Sequence, residues 1–269
     1  MDPSDRRVAV VGEGDLAAAL RDAVAALSYR VVDAVGTDAP SSADCRPGGD
    51  DPPDAIVPVG ADSLRAVLVG APNAPVIPVG SGRFAVDAAA AQRRLRDLLA
   101  EATRASDDPP VEGARRVTHP VLTVDAGPDS TARAVFDAAL VTQEPARISE
   151  FAVGFPGRAE ETFRADGVVV ATPLGSDGYA AAAGAPVVEP GGGLSVSPIA
   201  PFSTRTDAWI AADRLRVTVE REAEPVSIVV DGAERGAVAP HRSIAIEAAD
   251  RVALVVLGGA NRARRSETL

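Results

Sequence analysis

Residues 166–179 of this 269-residue chain read DGVVVATPLGSDGY. The run from Gly167 to Ala171 is short, apolar and rich in valine, which predicts a buried strand. A Thr-Pro pair and a Gly-Ser turn follow, and Tyr179 with four alanines then predicts the start of a helix. Such a turn presents exposed backbone N–H groups, hydroxyls and partial positive charge, so it suits a phosphate, ribose or carboxylate group. The same spacing is equally compatible with a purely structural strand-to-helix turn.

Towards the N-terminus, apolar runs alternate with segments of helical spacing. Buried strands are predicted at residues 8–11, 29–35, 55–59 and 74–79. Helices are predicted at residues 15–27, 62–69 and 85–105, the last clearly amphipathic. Residues 36–54 are rich in Pro, Gly, Ser and Asp and predict a solvated loop. This alternation predicts an α/β domain, doubly wound around a parallel sheet, over residues 1–108.

From about residue 110 the segments become short, β-rich and punctuated by Gly, Pro or Asp. Strands are predicted at residues 118–125, 138–142, 150–155, 167–171, 215–220, 226–231, 244–248 and 252–257. Asp231-Gly232 supplies the positive φ angles that a tight hairpin turn needs. We therefore expect an all-β domain over residues 109–269, and a cleft between the two domains where a ligand would bind.

The charge composition restricts the partners of the chain. It has 27 basic side chains, all of them arginine, against 38 acidic ones, for a net charge of −11. Because the mean field of such a protein repels phosphates, we expect neither a nucleic acid nor a membrane partner. Acid excess, absence of lysine and few aromatics are typical of halophilic proteins, whose surface repulsion is screened by salt. A GC-rich genome would explain the arginine but not the acidity.

Cysteine and histidine are too few for common metal sites. Cys45 is the single cysteine, which excludes disulfides and cysteine-based zinc sites within one chain. With only His119 and His241, a histidine-rich site is excluded as well, and we expect no metal-ligating side-chain cluster. The N-terminus lacks the layout of a signal peptide and the apolar runs are too short to span a membrane, so we expect a cytoplasmic protein.

The stretch 166–179 resembles the signature of the NAD kinases, which is Asp-Gly, a short apolar strand and Thr-Pro-Thr-Gly-Ser-Thr-Ala-Tyr. Residues 183–190 and 194–201 are similar to the Gly-Gly-Pro-Ile and Pro-Ile-x-Pro-His segments of that family. The similarity covers residues 117–257 well and the first hundred residues loosely. It implies an NAD kinase-like fold, NAD and ATP or polyphosphate as substrates, Mg²⁺ or another divalent cation with ATP, and a homo-oligomer.

The resemblance also implies a catalytic base. NAD kinases have a Gly-Gly-Asp-Gly-Thr loop whose Asp takes the proton from the 2′-hydroxyl of the adenosine ribose of NAD. Here the matching residues are Gly60, Ala61, Asp62, Ser63 and Leu64. Asp62 is thus the candidate base, and Gly60 and Ser63 are candidate nucleotide contacts. Ala61 and Ser63 carry Cβ atoms where glycine permits positive φ or a close phosphate approach. The alternative is that Asp62 only caps the following helix.

Further nucleotide contacts are implied in the second half of the chain. They are Asp137, Arg147, Arg164, Asp166, Thr172, Leu174, Gly175, Ser176, Asp177, Gly178, Tyr179 and Ala182. The two arginines could supply positive charge, although single arginines are commonly just solvated. Three departures stand out: Phe136-Asp137 replaces the Asn-Glu pair of the family, Asp177-Gly178 replaces Thr-Ala, and Phe202 replaces a His.

Two weaker loop signals and three possible functions remain. Gly12-Glu13-Gly14 lacks the third glycine of a dinucleotide fingerprint, whereas Gly80-Ser81-Gly82 ends a predicted strand and is a better ligand loop. The first function is an NAD kinase. The alternative is a catalytically impaired NAD kinase-like nucleotide-binding or regulatory protein, suggested by the altered glycine loop. A related kinase for a lipid or sugar hydroxyl fits the fold but has no residue in its favour.

Overall fold

The computed structural model describes residues 5–32, 52–126, 130–144, 148–203, 207–222 and 224–258. The chain divides into two compact units. One comprises residues 1–118 together with residues 252–269, and the other comprises residues 119–251. The last part of the chain thus belongs to the same unit as the first.

The first unit is an α/β fold. Its elements are β1 (Arg7–Val11), α1 (Asp15–Ala26), β2 (Arg30–Val32), β3 (Ala55–Pro58), α2 (Ala61–Val69) and α3 (Ala88–Ala102). The strands pair in the order β2-β1-β3 and both pairings are parallel, as the alternating pattern predicted. All four residues of β3 are buried, which is typical of a parallel sheet covered on both faces.

The strand predicted at residues 74–79 is only partly formed. Val76 and Val79 make isolated parallel bridges to Ile56 and Val59 rather than a continuous ladder. Pro75 and Pro78 alternate with the bridging residues, and a proline has no N–H to donate to a ladder. Val76 also pairs in parallel with Leu254, from the C-terminal segment of this unit.

Helix α3 is the amphipathic helix that the sequence predicted, shorter by three residues at each end. It begins where the Asp87 carboxylate accepts the Ala90 N–H at 2.9 Å, an N-cap bond that satisfies one of the free donors of the first turn. Leu95, Leu98 and Leu99 are buried in the core of the first unit.

The rest of the chain is β-rich. Its elements are β4 (Ala114–Asp125), β5 (Thr131–Ala134), β6 (Asp137–Thr142), β7 (Ser149–Gly154), β8 (Glu161–Ala165), β9 (Gly167–Ala171), α4 (Tyr179–Ala182), β10 (Leu194–Ile199), β11 (Trp209–Ala211), β12 (Arg214–Arg221), β13 (Val226–Val230), β14 (Ala233–Val238) and β15 (Ser243–Leu257). They form two six-stranded sheets, ordered β11-β10-β9-β6-β13-β14 and β5-β4-β15-β12-β7-β8. The strands predicted at residues 244–248 and 252–257 are one long strand, β15.

The core of the second unit takes side chains from both sheets. Leu140 and Val168 come from the first sheet, and Phe151, Val217 and Ile244 come from the second. This is the packing of a β-sandwich. Helix α4 covers the opposite face of the first sheet, where Ala180 packs with Ala139, Val169 and Ala171. In the described part of the chain, no helix is both long and apolar enough to cross a membrane.

Candidate functional site

In the first unit, three glycines follow the buried strands at one edge of the sheet. Gly12 follows β1, Gly60 follows β3 and Gly80 follows the bridging residues 76–79, with φ angles of 131°, 88° and 140°. These backbone conformations are open to glycine and strained for other residues. The strands are parallel, so all three glycines lie at the carboxyl ends, where open α/β sheets bind their ligands.

The three glycine turns are packed against one another. A Cβ atom added to Gly12 would lie 3.0 Å from the Val59 carbonyl oxygen and 3.2 Å from the Ser63 hydroxyl oxygen. A Cβ on Gly80 would lie 3.4 Å from both the nitrogen and the Cα of Gly60, and the Gly60 N–H donates to the Val79 carbonyl at 2.8 Å. The result is a small cradle of backbone atoms, formed by segments far apart in sequence.

Two helices begin at this edge. Gly14 is the N-cap of α1 and Gly60 is the N-cap of α2, and neither helix has a side-chain capping bond. Their first N–H groups therefore lack the usual side-chain acceptor, which leaves them suited to an anion. Asp62 lies in the first turn of α2 and is exposed. Asp62 does not cap the helix, contrary to the alternative considered from the sequence.

The substituted positions of the glycine loop are helical. Ala61 and Ser63 both lie within α2, and only Gly60 has a positive φ angle. The expectation that Ala61 and Ser63 occupy positions needing glycine conformations is therefore wrong for the backbone dihedrals. The reason is that the helix starts directly after Gly60.

Two arginines accompany the glycine turns. Arg21 of α1 donates to the Val10 and Gly12 carbonyl oxygens at 3.2 and 2.7 Å, which fixes the turn after β1. Arg83 follows the Gly80-Ser81-Gly82 turn, and its guanidinium carbon lies 4.7 Å from the centre of the Phe84 ring. Phe84 has a φ of 61°, a strained value for a bulky residue and one that occurs most often near functional sites. Arg83 was missed from the sequence, although an arginine after a Gly-Ser-Gly turn was a usable signal.

In the second unit, Asp137 begins β6 and is largely buried beside Asp231. Burial and, to a smaller extent, the neighbouring Asp231 carboxylate raise the pKa of Asp137 to about 6. Asp231 lies in the turn between β13 and β14, where it and Gly232 have φ angles of 48° and 78°. This confirms the predicted Asp-Gly hairpin. The Asp231 N–H donates to the Asp137 carbonyl at 3.0 Å.

In the turn after β9, the side-chain hydroxyls form hydrogen bonds with buried backbone groups. The Thr172 hydroxyl donates to the Val135 carbonyl at 2.7 Å. The Ser176 hydroxyl donates to the Pro173 carbonyl and accepts the Val188 N–H, each at 3.0 Å. Both side chains are fully buried. The prediction of exposed hydroxyls is therefore wrong for these two residues. Thr172 bonds the connection between β5 and β6, and Ser176 bonds the turn itself and Val188.

Gly175 and Gly167 lie where a neighbouring backbone segment leaves no room for a side chain. A Cβ on Gly175 would lie 2.2 Å from the Phe136 carbonyl oxygen, and a Cβ on Gly167 would lie 2.3 Å from the Leu140 carbonyl oxygen. Neither glycine has a positive φ angle, so both are required for close backbone contact. Leu174 is buried as well.

The remaining motif residues are exposed. Asp177, Gly178 and Tyr179 face solvent, as does Ala182 in α4. The pKa of Tyr179 is raised by partial burial and then by the nearby charges of Asp137 and Asp166. The structure therefore brings these three predicted residues, Asp137, Asp166 and Tyr179, into one neighbourhood.

Arg164 lies elsewhere in the second unit, beside a pocket of about 300 Å³. Its guanidinium carbon is 5.4 Å from the centre of the exposed Phe202 ring. Phe163 and Trp209, whose ring centres are 5.7 Å apart, also line the pocket. This aromatic pocket was not predicted, because the residues come from three separate segments. Arg147 lies outside the described residues.

The chain is similar in sequence to known proteins. Residues 137–257 match the family model described as the ATP-NAD kinase C-terminal domain. An NAD kinase from Methanospirillum hungatei is 28% identical over 187 residues, covering 68% of this chain and 67% of the relative. An NAD kinase from Methanoculleus marisnigri is 35% identical over 129 residues, which is 47% of each chain. Residues 137–257 of the chain are thus similar to the C-terminal domain of the NAD kinases.

The same fold is present in a solved member of the NAD kinase family. The crystal structure of an NAD kinase from Archaeoglobus fulgidus in complex with ATP matches with a TM-score of 0.65 and 23% identity, covering 93% of this chain and 92% of the other. At this identity the match supports the architecture, an α/β unit and a β-rich unit, as predicted. The family model begins at Asp137 and includes Asp166, the whole Thr172–Tyr179 turn and the Asp231-Gly232 hairpin.

Proposed function

We propose that the protein is an NAD kinase. It transfers the γ-phosphoryl group of ATP to the 2′-hydroxyl of the adenosine ribose of NAD and releases NADP and ADP. The observation that carries this proposal is the match of residues 137–257 to the ATP-NAD kinase C-terminal domain. The glycine cradle in the first unit, with Asp62 at its edge, adds independent support because it is suited to phosphate groups.

Asp62 supplies the general base in this proposal. Its carboxylate accepts the 2′-hydroxyl proton, the hydroxyl oxygen attacks the γ-phosphorus, and the bond from that phosphorus to the departing ADP oxygen breaks. A positioned base of this kind typically accelerates a reaction about 10²- to 10⁴-fold. The uncapped starts of α1 and α2 offer N–H groups to phosphate oxygens, a form of charge stabilisation on which phosphoryl transfer depends.

Residues of the second unit have two roles in binding the nucleotide: some contact it, and others shape the turn that does. Asp137, Asp166 and Tyr179, with the exposed Asp177, Gly178 and Ala182, contact it directly. Thr172, Leu174, Gly175 and Ser176 are buried and instead give the turn its shape. Arg164 provides a cation beside an aromatic pocket, which suits a phosphate or a planar ring.

A divalent cation, with Mg²⁺ as the first choice, enters the proposed reaction with ATP. Within the residues that the structure describes, no group of three or more His, Cys, Asp or Glu side chains could hold a metal ion. Mg²⁺ is commonly bound by one or two carboxylates together with substrate phosphates, and the exposed Asp62 fits that donor set. The cation would neutralise charge on the transferred phosphoryl group.

Several finer features also remain proposals. We propose a cytoplasmic, halophilic homo-oligomer that accepts ATP and, as an alternative donor, polyphosphate. The salt requirement is supported by the net charge of −11 and the absence of lysine. Two polyanionic substrates must then be bound by arginines, backbone N–H groups, metal ions and screening salt.

A catalytically impaired nucleotide-binding protein is the alternative, motivated by Ala61 and Ser63 in the glycine loop. The helical conformation of both residues favours the kinase, because neither needs a glycine backbone. Ser63 nevertheless adds a side chain close to Gly12, which is where a weaker phosphate contact would arise.

The deciding experiment measures NADP formation by the purified protein with NAD, Mg²⁺ and either ATP or polyphosphate, in dilute and in multimolar KCl. Asp62→Asn should reduce kcat by about 10²-fold or more, since the base is lost. Asp22→Asn, which neutralises an exposed aspartate on α1, is the matched control and should keep its activity. NAD binding by calorimetry without any NADP formation would favour the impaired protein, and no binding in any salt would refute both.

A further inference from the structure

The Asp231 side chain makes contacts that its hairpin turn does not require. An Asp-Gly pair suits a turn with two positive φ angles, but Asn-Gly and Gly-Gly suit it equally. The turn by itself therefore does not explain a carboxylate at this position. The carboxylate has three backbone donors, which lie consecutively at residues 135–137, from the end of β5 to the start of β6.

These three hydrogen bonds are short. One carboxylate oxygen accepts the Val135 N–H at 2.9 Å. The other accepts the Phe136 N–H at 2.7 Å and the Asp137 N–H at 3.1 Å. Hydrogen bonds to an ionised acceptor are about twice as strong as neutral ones. An amide side chain could not accept all three bonds so well, because its nitrogen is a donor.

Residues 135–137 also contact the turn from Thr172 to Gly178. The Phe136 carbonyl accepts the Thr172 N–H at 2.9 Å, and the Val135 carbonyl accepts the Thr172 hydroxyl. Gly175 lies so close to Phe136 that no side chain fits between them. On the other side, His119 Nε2 is 3.1 Å from the Val135 carbonyl oxygen. A shift of residues 135–137 would therefore move the turn.

We propose that Asp231 is a positioning residue, whose carboxylate holds residues 135–137 and, through them, the turn from Thr172 to Gly178. The inference rests on the proposed function in one respect only, namely that this turn binds NAD. Asp231 itself need not touch the nucleotide. The cost of the arrangement is a second carboxylate beside Asp137, tolerated because the three N–H donors partly neutralise Asp231.

The test compares the wild-type protein with Asp231→Asn, which keeps a favourable turn sequence but removes the charge. The matched control is Glu247→Gln, which neutralises an exposed carboxylate on β15. Amide hydrogen exchange is followed at Phe136, Thr172 and Gly175, and NAD affinity is measured by calorimetry. For Asp231→Asn we expect about tenfold faster exchange at all three amides and about tenfold weaker NAD binding, equivalent to about 1.4 kcal/mol.

The outcomes separate the two proposals. Unchanged exchange at Thr172 and Gly175 would overturn the positioning role, whatever the protein binds. Faster exchange with unchanged NAD affinity would also overturn it, because the role would then be structural only. If the wild-type protein binds no NAD, the proposed function fails, and exchange at Thr172 and Gly175 still decides whether Asp231 holds the turn.

Discussion

We expect Asp137 to make the protein less stable as the pH rises, and the substitution Asp137→Asn to remove this effect. The pKa of the Asp137 carboxyl is about 6 in the folded protein, against an ordinary value of 3.8. Between these pH values the folded state binds more protons than the unfolded state, so the free energy of unfolding falls as the pH increases. Below this window the penalty is absent, and above it the penalty is complete.

The size of the effect follows from the shift. A difference of about 2 pKa units corresponds to about 3 kcal/mol at 1.36 kcal/mol per unit. Asp137 is not completely buried, so solvent screening reduces the expected value to about 2 kcal/mol. The variant Asp137→Asn should therefore gain about 2 kcal/mol relative to wild type between about pH 4 and about pH 8.

Urea unfolding of both proteins across this pH range, at constant high KCl, measures the difference directly. The buried His119 has the opposite effect, since burial lowers its pKa to about 4 and stability then rises with pH. His119 is present in both proteins, so its contribution cancels in the difference. The charged group that acts on Asp137 is Asp231, and Asp137 in turn acts on Tyr179. The control Glu247→Gln should show no such trend. A difference between wild type and Asp137→Asn that stays constant within about 0.5 kcal/mol would refute the reasoning.

Two further predictions concern packing and salt. Gly175→Ala would place a Cβ 2.2 Å from the Phe136 carbonyl oxygen, so we expect a loss of about 3 kcal/mol in urea unfolding. Gly178→Ala, whose Cβ would meet only the Gly175 oxygen at 3.4 Å, should cost less than about 1 kcal/mol, and equal losses would contradict the packing argument. Because the net charge is −11, the melting temperature should rise from dilute to multimolar KCl, and a flat profile would contradict the halophilic interpretation.

Local sequence patterns were sufficient for much of the fold. Alternating apolar runs and helical spacing predicted β1, β3, α1, α2 and α3, because each of these elements follows from residues close together in the chain. The Asp231-Gly232 turn was also predictable, since its φ angles depend on two adjacent residues. The predicted strand at residues 74–79 was weaker in the structure because Pro75 and Pro78 cannot donate to a ladder.

The sequence motif named residues of the candidate site but did not show how their side chains are used. Thr172 and Ser176 belong to the recognised motif, yet their hydroxyls are buried against backbone carbonyls rather than exposed. The carboxylate of Asp231 contacts Val135 across 96 residues of sequence. No local pattern indicates a contact at that separation.

The sequence by itself thus determined the alternation of elements, the positions of the glycine turns, the net negative charge and the resemblance of residues 137–257 to the NAD kinases. Each depends on composition or on residues adjacent in the chain. Only the tertiary structure decided that Asp62 is exposed, that Ala61 and Ser63 are helical, and which polar groups of the turn are used internally. The physical reason is that hydrogen-bond partners and burial depend on strand pairing between distant segments, and a polar group points inward only where folding brings it a partner.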